Sequence, residues 1–238
     1  MSEVYEPVAE KVKSLKKLSG STTAKMGAEV SDAMLRVLTS SLKRRGRLRE
    51  LRPLGRAKMS YEKVSKKILR VLREAKIPYM IVGGLAANYY GCPRATYDLD
   101  LVIEPEEAGI RKLLKLAGQA GFRFHEKEVL LLTRAGNRFV VESPEKYRVD
   151  FWLAKTSLER EMLARRRRAK VFGIPVWICR PEDLILQKLR SARPRDLEDV
   201  QAILARWSDG LDKKYLNRRA TELGLARLLE EQRKLAQV

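Results

Sequence analysis

Residues 81–103 read I-V-G-G-L-A-A-N-Y-Y-G-C-P-R-A-T-Y-D-L-D-L-V-I. An apolar run from Tyr79 to Val82 stops at Gly83-Gly84, a short helix-compatible segment follows, and the chain then reaches Arg94-x-Thr96-x-Asp98-x-Asp100. Alternation along this second run predicts a strand with Asp98, Asp100 and Val102 on one face and Leu99, Leu101 and Ile103 on the other. The Cα atoms of two such acids lie roughly 6.6 Å apart. Both carboxylates can then converge on one hard divalent cation, for which magnesium is the natural choice. The glycines suit the same chemistry, because a residue without a side chain lets phosphate oxygens approach backbone N–H groups where a strand turns into a helix.

Outward from this stretch the pattern is that of an α/β sheet. Upstream, Ser60 is placed to cap a helix whose stripe is Val64, Ile68, Leu69, Val71 and Leu72, closed by Pro78. Downstream, Glu106 to Ala120 reads as an amphipathic helix ended by Gly121. Strands are expected at Phe122–Phe124 with Val129–Thr133, at Arg138–Glu142 and at Tyr147–Leu153. The order strand, helix, strand, helix, strands predicts a sheet with helices on one face. In the last strand Val149, Phe151 and Leu153 point to the core, leaving Asp150 with Arg148 and Trp152 on the other side. A third acid thus reaches the working face, and three clustered carboxylates repel one another unless a divalent metal neutralises them. His125, the one histidine, has no ligand pattern around it and reads as structural or exposed.

The remainder is more helical. Thr156 to Arg168 reads as a helix ending in four arginines, Arg165 to Arg168, which fit either a polyanion contact or a charged solvated turn. Val171 to Ile178 reads as a tight strand pair around Gly173. Pro181-Glu182-Asp183 starts a helix that carries Lys188, and Arg193 to Val200 starts another running through Trp207. Leu211 to Val238 adds one or two helices broken at Leu223-Gly224-Leu225. The chain divides into a basic extension (1–58), an α/β core (59–179) and a helical region (180–238). The extension reads as a nucleic-acid-gripping arm or as a solvated tail, and Met59 is an alternative start.

Bulk properties set the boundaries. Among 238 residues, 45% are hydrophobic, yet no run approaches the roughly 18 to 20 apolar residues of a membrane span. The opening M-S-E-V-Y-E-P is not a secretory signal, so a cytoplasmic protein is expected. Cys92 and Cys179 lack zinc or disulfide-framework spacing and are expected as buried thiols. The net charge of +20 favours polyanionic partners such as nucleic acid. Ion-pair-rich surfaces also raise Lys, Arg and Glu, but they need no such positive excess.

Gly83, Gly84, Asp98 and Asp100 together resemble the signature of the nucleotidyltransferase superfamily that shares a fold core with DNA polymerase β. Within it, Gly-Gly followed by Arg-x-Thr-x-Asp-x-Asp looks most like the branch of abortive-infection type E toxins and related small prokaryotic nucleotidyltransferases. The resemblance spans about residues 60 to 205. It implies a mixed α/β (α+β) sheet followed by a helical region, with Asp98, Asp100 and Asp150 holding Mg2+ and Gly83 and Gly84 receiving nucleotide phosphates. Pro181-Glu182-Asp183-Leu184-Ile185-x-x-Lys188-Leu189 followed by Arg195-Asp196-x-x-Asp199-Val200 resembles the same branch. That likeness assigns Lys188 to the phosphates, as part of the catalytic set, and Asp199 to the nucleotide site, with Asp196 as its neighbour. Arg94 and Thr96 are expected to orient the loop before the Asp strand.

The activity so implied is metal-dependent transfer of a nucleoside monophosphate from an NTP, such as ATP, to an acceptor hydroxyl with release of pyrophosphate. A tRNA 3′ end is the expected acceptor, in a toxin-like enzyme with a cognate antitoxin as a possible partner. Cationic aminoglycosides fit a basic protein less well. The rival is a catalytically silent nucleic-acid-binding or antitoxin-like module on the same fold.

Overall fold

The computed structural model describes residues 51–92, 94–136 and 138–237. The extension expected over residues 1–58 therefore lies outside the described residues, apart from the beginning of the first helix. That helix, α1 (Leu51–Ala75), runs through Ser60 without a break, so Ser60 is internal and does not cap it. The stripe of Val64, Ile68, Leu69, Val71 and Leu72 is buried as its 3.6-residue spacing requires. A left-handed residue, Lys76 (φ 59°), turns the chain into β1 (Tyr79–Ile81).

The next elements are α2 (Gly83–Tyr89), β2 (Leu99–Ile103), α3 (Glu107–Gln119), α4 (Glu126–Arg134), β3 (Phe139–Glu142) and β4 (Arg148–Leu153). They are followed by α5 (Ser157–Arg165), β5 (Arg167–Val171) and β6 (Ile174–Ile178). Four further helices complete the described chain: α6 (Pro181–Ser191), α7 (Pro194–Trp207), α8 (Lys213–Glu222) and α9 (Ala226–Ala236). The strands form one mixed six-stranded sheet in the order β3-β4-β2-β1-β6-β5. β1 runs antiparallel to β2 and parallel to β6, and β2 runs parallel to β4. No described helix is long and apolar enough to cross a membrane.

The register gives the sheet two unlike faces. Leu99 pairs with Val149 and Leu101 with Phe151, while Ile81 meets Leu101 on one side and Ile178 on the other. All of these are buried, with Phe139 stacked on Phe151 at 4.8 Å, and each such side chain contributes about 1.5 to 3 kcal/mol. On the opposite face Asp100 pairs with Asp150, and Val102 with a 43% exposed Trp152. The alternation expected of both strands is present.

Two expectations are corrected here. Val129–Thr133 is not a strand but part of α4: acids at Glu126 and Glu128 and a base at Arg134 suit the helix dipole, and only Val129 is buried. Arg123 makes a single bridge to Glu142, which is all that remains of the Phe122–Phe124 strand. The helix expected to reach Arg168 ends at Arg165, where Arg166 turns extended and Arg167 enters the edge strand β5. The four arginines then part company over aromatic rings, Arg165 on Tyr215, Arg166 and Arg168 on Trp177, and Arg167 on Trp207. At the β5–β6 hairpin both turn residues, Phe172 (φ 52°) and Gly173 (φ 77°), are left-handed, as a two-residue hairpin turn matched to strand twist demands.

Candidate active site

At the end of β1 the Val82 N–H donates to the Asp100 carbonyl at 3.0 Å, which fixes the following bend against β2. Gly83 sits there with φ 62°, and a Cβ on it would lie 2.1 Å from Asp100 Oδ2. Only glycine fits, and the space it frees is filled by the Asp100 carboxylate itself. Gly84, the second residue of α2, turns its backbone N–H toward the Asp100 carboxylate. A Cβ on Gly84 would meet Thr96 Oγ1 at 2.6 Å and Arg94 Nη1 at 3.3 Å. The bend is therefore lined by a carboxylate, a hydroxyl and a guanidinium.

Asp150 lies directly across from Asp100 on the neighbouring parallel strand. Burial raises the Asp100 pKa above its ordinary value; the Trp152 indole N–H, 3.5 Å away, opposes this, and the charges of Asp150 and Asp98 add to it. Asp150 is likewise raised by burial; Arg148 and Arg138 pull it back, and Asp98 pushes it up. Arg138 Nη1 donates to Asp150 Oδ1 at 2.8 Å, and Arg148 Nη2 lies 3.7 Å from the same oxygen. Asp98, just before β2, is exposed, and its carbonyl accepts from Tyr61 Oη at 3.2 Å and from Thr96 Oγ1 at 3.3 Å. Asp98, Asp100 and Asp150 thus share one edge, with the glycine bend on the β1 side and two arginines on the β3–β4 side.

The other candidates form a separate network. Arg94 holds Asp199 through two parallel bonds, Nε to Oδ1 and Nη2 to Oδ2, both 2.9 Å. Lys188 Nζ donates to Asp199 Oδ2 at 2.6 Å and to Asp196 Oδ1 at 2.9 Å. Lys188 and Asp199 are buried. Burial opposes ionisation of Asp196, but the Lys188 and Ser191 hydrogen bonds outweigh it and its pKa falls. A left-handed Ala192 (φ 49°) makes the short turn that folds α7 back on α6 and brings Lys188 to these acids. Lys188 is thus engaged by carboxylates, while Arg94 is the cation beside Gly84. Asn88 brackets Arg94 by exchanging hydrogen bonds with its backbone, which agrees with the loop-orienting role expected of Arg94.

A family described as uncharacterised nucleotidyltransferase matches residues 49–238. The chain belongs to this nucleotidyltransferase family. The match does not single out the toxin-like branch that the motifs resemble. No curated protein matches the sequence significantly. Among solved structures, an antigenic nucleotidyltransferase-like protein from Paracoccidioides brasiliensis has 18% identity and a TM-score of 0.47, over 76% of this chain and 90% of that one. The antibiotic-resistance factor ANT(2'')-Ia has 19% identity and a TM-score of 0.45, over 74% and 98%. A CCA-adding enzyme complexed with ATP has 15% identity and a TM-score of 0.32, over 69% and 45%. These likenesses are too distant to assign a substrate.

Among the described residues of this nucleotidyltransferase, no three His, Cys, Asp or Glu side chains stand close enough together to hold a metal ion as they are. The chemistry of the donors nevertheless fits a hard cation: carboxylate oxygens from neighbouring strands face one another, and the Asp100 pKa is raised by burial first and by the charges of Asp150 and Asp98 after it. One of the acids, Asp150, is instead engaged by Arg138. Sequence reasoning missed Arg138, whose position carries no local signal. The antiparallel register that pairs Phe139 with Phe151 and Val140 with Asp150 is what sets it beside Trp152 and Asp150.

Proposed function

We propose that this nucleotidyltransferase moves a nucleoside monophosphate from an NTP to a hydroxyl of an RNA acceptor, with Mg2+ at the carboxylate edge. The observation that carries the reading is the direct Asp100–Asp150 register, with the Gly83 bend packed on Asp100. Like charges brought together at the margin of a buried sheet lower stability, and such crowding marks a site of chemistry. In the reaction the acceptor oxygen bonds to the α-phosphorus, the bond from that phosphorus to the β-bridging oxygen breaks, and pyrophosphate leaves with the electron pair. Bound magnesium would supply charge neutralisation on the phosphate oxygens and a more acidic acceptor hydroxyl.

Asp98 and Asp100 would hold the ion, with Asp150 completing the set once released from Arg138. Asp150, with its raised pKa, is suited to accept the acceptor's proton. Arg94, beside Gly84, meets the triphosphate charge, and Lys188 and Asp199 hold Arg94 in place. The basic balance, +20 overall, supports an RNA acceptor. Incubation with each α-labelled NTP, Mg2+ and total tRNA tests the reading. Label in RNA, pyrophosphate release and loss of both in Asp98→Ala are expected. Salt-sensitive RNA retention without any transfer would instead identify a silent binding module.

A further inference from the structure

We propose that Trp152, Arg138 and Arg148 form the acceptor platform: the terminal base of a single-stranded RNA 3′ end stacks on Trp152 while its phosphates meet the two arginines. This rests on the transfer reaction proposed above and adds where the acceptor lies.

The most exposed aromatic rings of the described residues stand beside the acids. Among the described residues the exposed aromatics are Tyr97, at 60%, and Trp152, at 43%. Tyr97 adjoins Asp98 in sequence, and Trp152 is two residues beyond Asp150 on the same face of β4. The indole donates to Asp100 at 3.5 Å while leaving part of its ring open to solvent, an apolar body with a polar tip suited to a planar partner. The ring also carries the Arg138 guanidinium at 5.2 Å from its centroid. Arg138 and Arg148 share one carboxylate oxygen while their own side chains remain 50% and 49% exposed. Aromatic surface interleaved with half-solvated arginines is the chemistry of single-strand binding: every base has a face to stack, and each nucleotide brings a phosphate.

The position of the bend favours the acceptor, rather than the nucleotide, for this surface. The glycine bend follows β1 and packs on Asp100 of β2, whereas Arg148 and Trp152 flank Asp150 along β4 and Arg138 reaches it from just before β3, so the bend and the Trp152 cluster adjoin different members of the Asp100–Asp150 pair. In-line displacement puts the attacking and leaving oxygens on opposite sides of the α-phosphorus. With the pyrophosphate end at the bend, the attacking hydroxyl comes from the β3–β4 side. A phosphate that draws Arg138 and Arg148 away would also free Asp150 Oδ1, so acceptor binding completes the acid set.

The test is equilibrium binding of a short fluorescent single-stranded RNA to the full chain across a salt series, without NTP, followed by NTP kinetics on the same proteins. Trp152→Ala is expected to weaken RNA binding about tenfold, and Trp152→Phe, which keeps a stacking face, to recover most of it. Arg148→Gln is expected to flatten the slope of log affinity against log salt by about 0.7. A blunt RNA duplex is expected to bind without sensitivity to Trp152. Trp152→Ala binding RNA as tightly as wild type, or losing only NTP affinity, would overturn the platform. Failure of the transfer reading has its own signature, pyrophosphate release without label in RNA, while the oligonucleotide binding still decides the fate of the platform.

Discussion

Two clusters of charge lie on either side of the Gly83–Gly84 bend, and they are in opposite states. In the Arg94–Asp199–Lys188–Asp196 network, two cations face two carboxylates through contacts of 2.6 to 3.2 Å. At the Asp98–Asp100–Asp150 edge, acids crowd one another, and the pKa values of Asp100 and Asp150 are raised. The first cluster is electrostatically complete and reads as a fastener between α6, α7 and the loop before β2. The second is under-compensated: Arg138 and Arg148 act on Asp150, and the repulsion that remains would be relieved by a bound cation or a proton. The motif resemblance places both clusters at one nucleotide site; their surroundings set the paired charges apart from the crowded ones.

Removing an acid from the edge gives the sharpest break between the two. Asp100→Ala is expected to lower transfer by about a thousandfold or more, judged against the loss of a transition-state charge contact, while leaving the melting temperature unchanged or higher. Label transfer and thermal unfolding on one preparation check both halves. Lys188→Ala should do the reverse in stability, leaving Asp199 buried and short of one partner, at a cost of about 3 to 5 kcal/mol in denaturant unfolding. A well-folded Lys188→Ala protein with abolished transfer would move Lys188 from the fastener to the chemistry.

Gly83→Ala probes the join between the clusters. The new Cβ meets Asp100 Oδ2 at 2.1 Å in a left-handed backbone. Backbone strain and overpacking together are expected to cost about 2 to 4 kcal/mol. Pairing it with Asp100→Ala removes the carboxylate and should return part of that loss in a double-mutant cycle of unfolding energies. An additive result would mean that the bend and the acid are independent.

What the sequence revealed depended on how local the cause was. The Asp strand, the glycine bend and the Gly173 hairpin were legible, because alternation and turn geometry act over a few residues. Residues 129–133 were misread: Val129 through Leu132 is apolar at every position, which suits a strand as well as a helix, and Leu131 proves to be exposed. The decisive signals were the flanking charges Glu126, Glu128 and Arg134. Arg138 could not be found, since its meaning comes from the β3–β4 register, and the Arg94–Asp199 pairing joins the loop before β2 to α7 across 105 residues of sequence. The Arg165–Arg168 run suggested a surface charge patch, yet its arginines sit over aromatic rings from later elements.

The smallest expected effect, and the one that compares the clusters in a single experiment, is the dependence of stability on pH. Asp100 and Asp150 have folded pKa values above the unfolded carboxylate value near 3.9. The folded protein therefore binds protons that the unfolded chain does not, and without metal this edge should make the protein more stable as pH falls from neutral toward about 4. Asp196 is lowered, so its contribution is present above the unfolded value and is lost as pH falls from about 4 toward its folded pKa. Unfolding free energy measured against pH should thus bend near 4. Asp100→Asn is expected to flatten the limb above that point, and Asp196→Asn the limb below it. Added Mg2+ should also flatten the upper limb, because a bound cation holds the carboxylates ionised. Indifference of that limb to both Asp100→Asn and Mg2+ would show that the edge is not the strained element that separates it from the network.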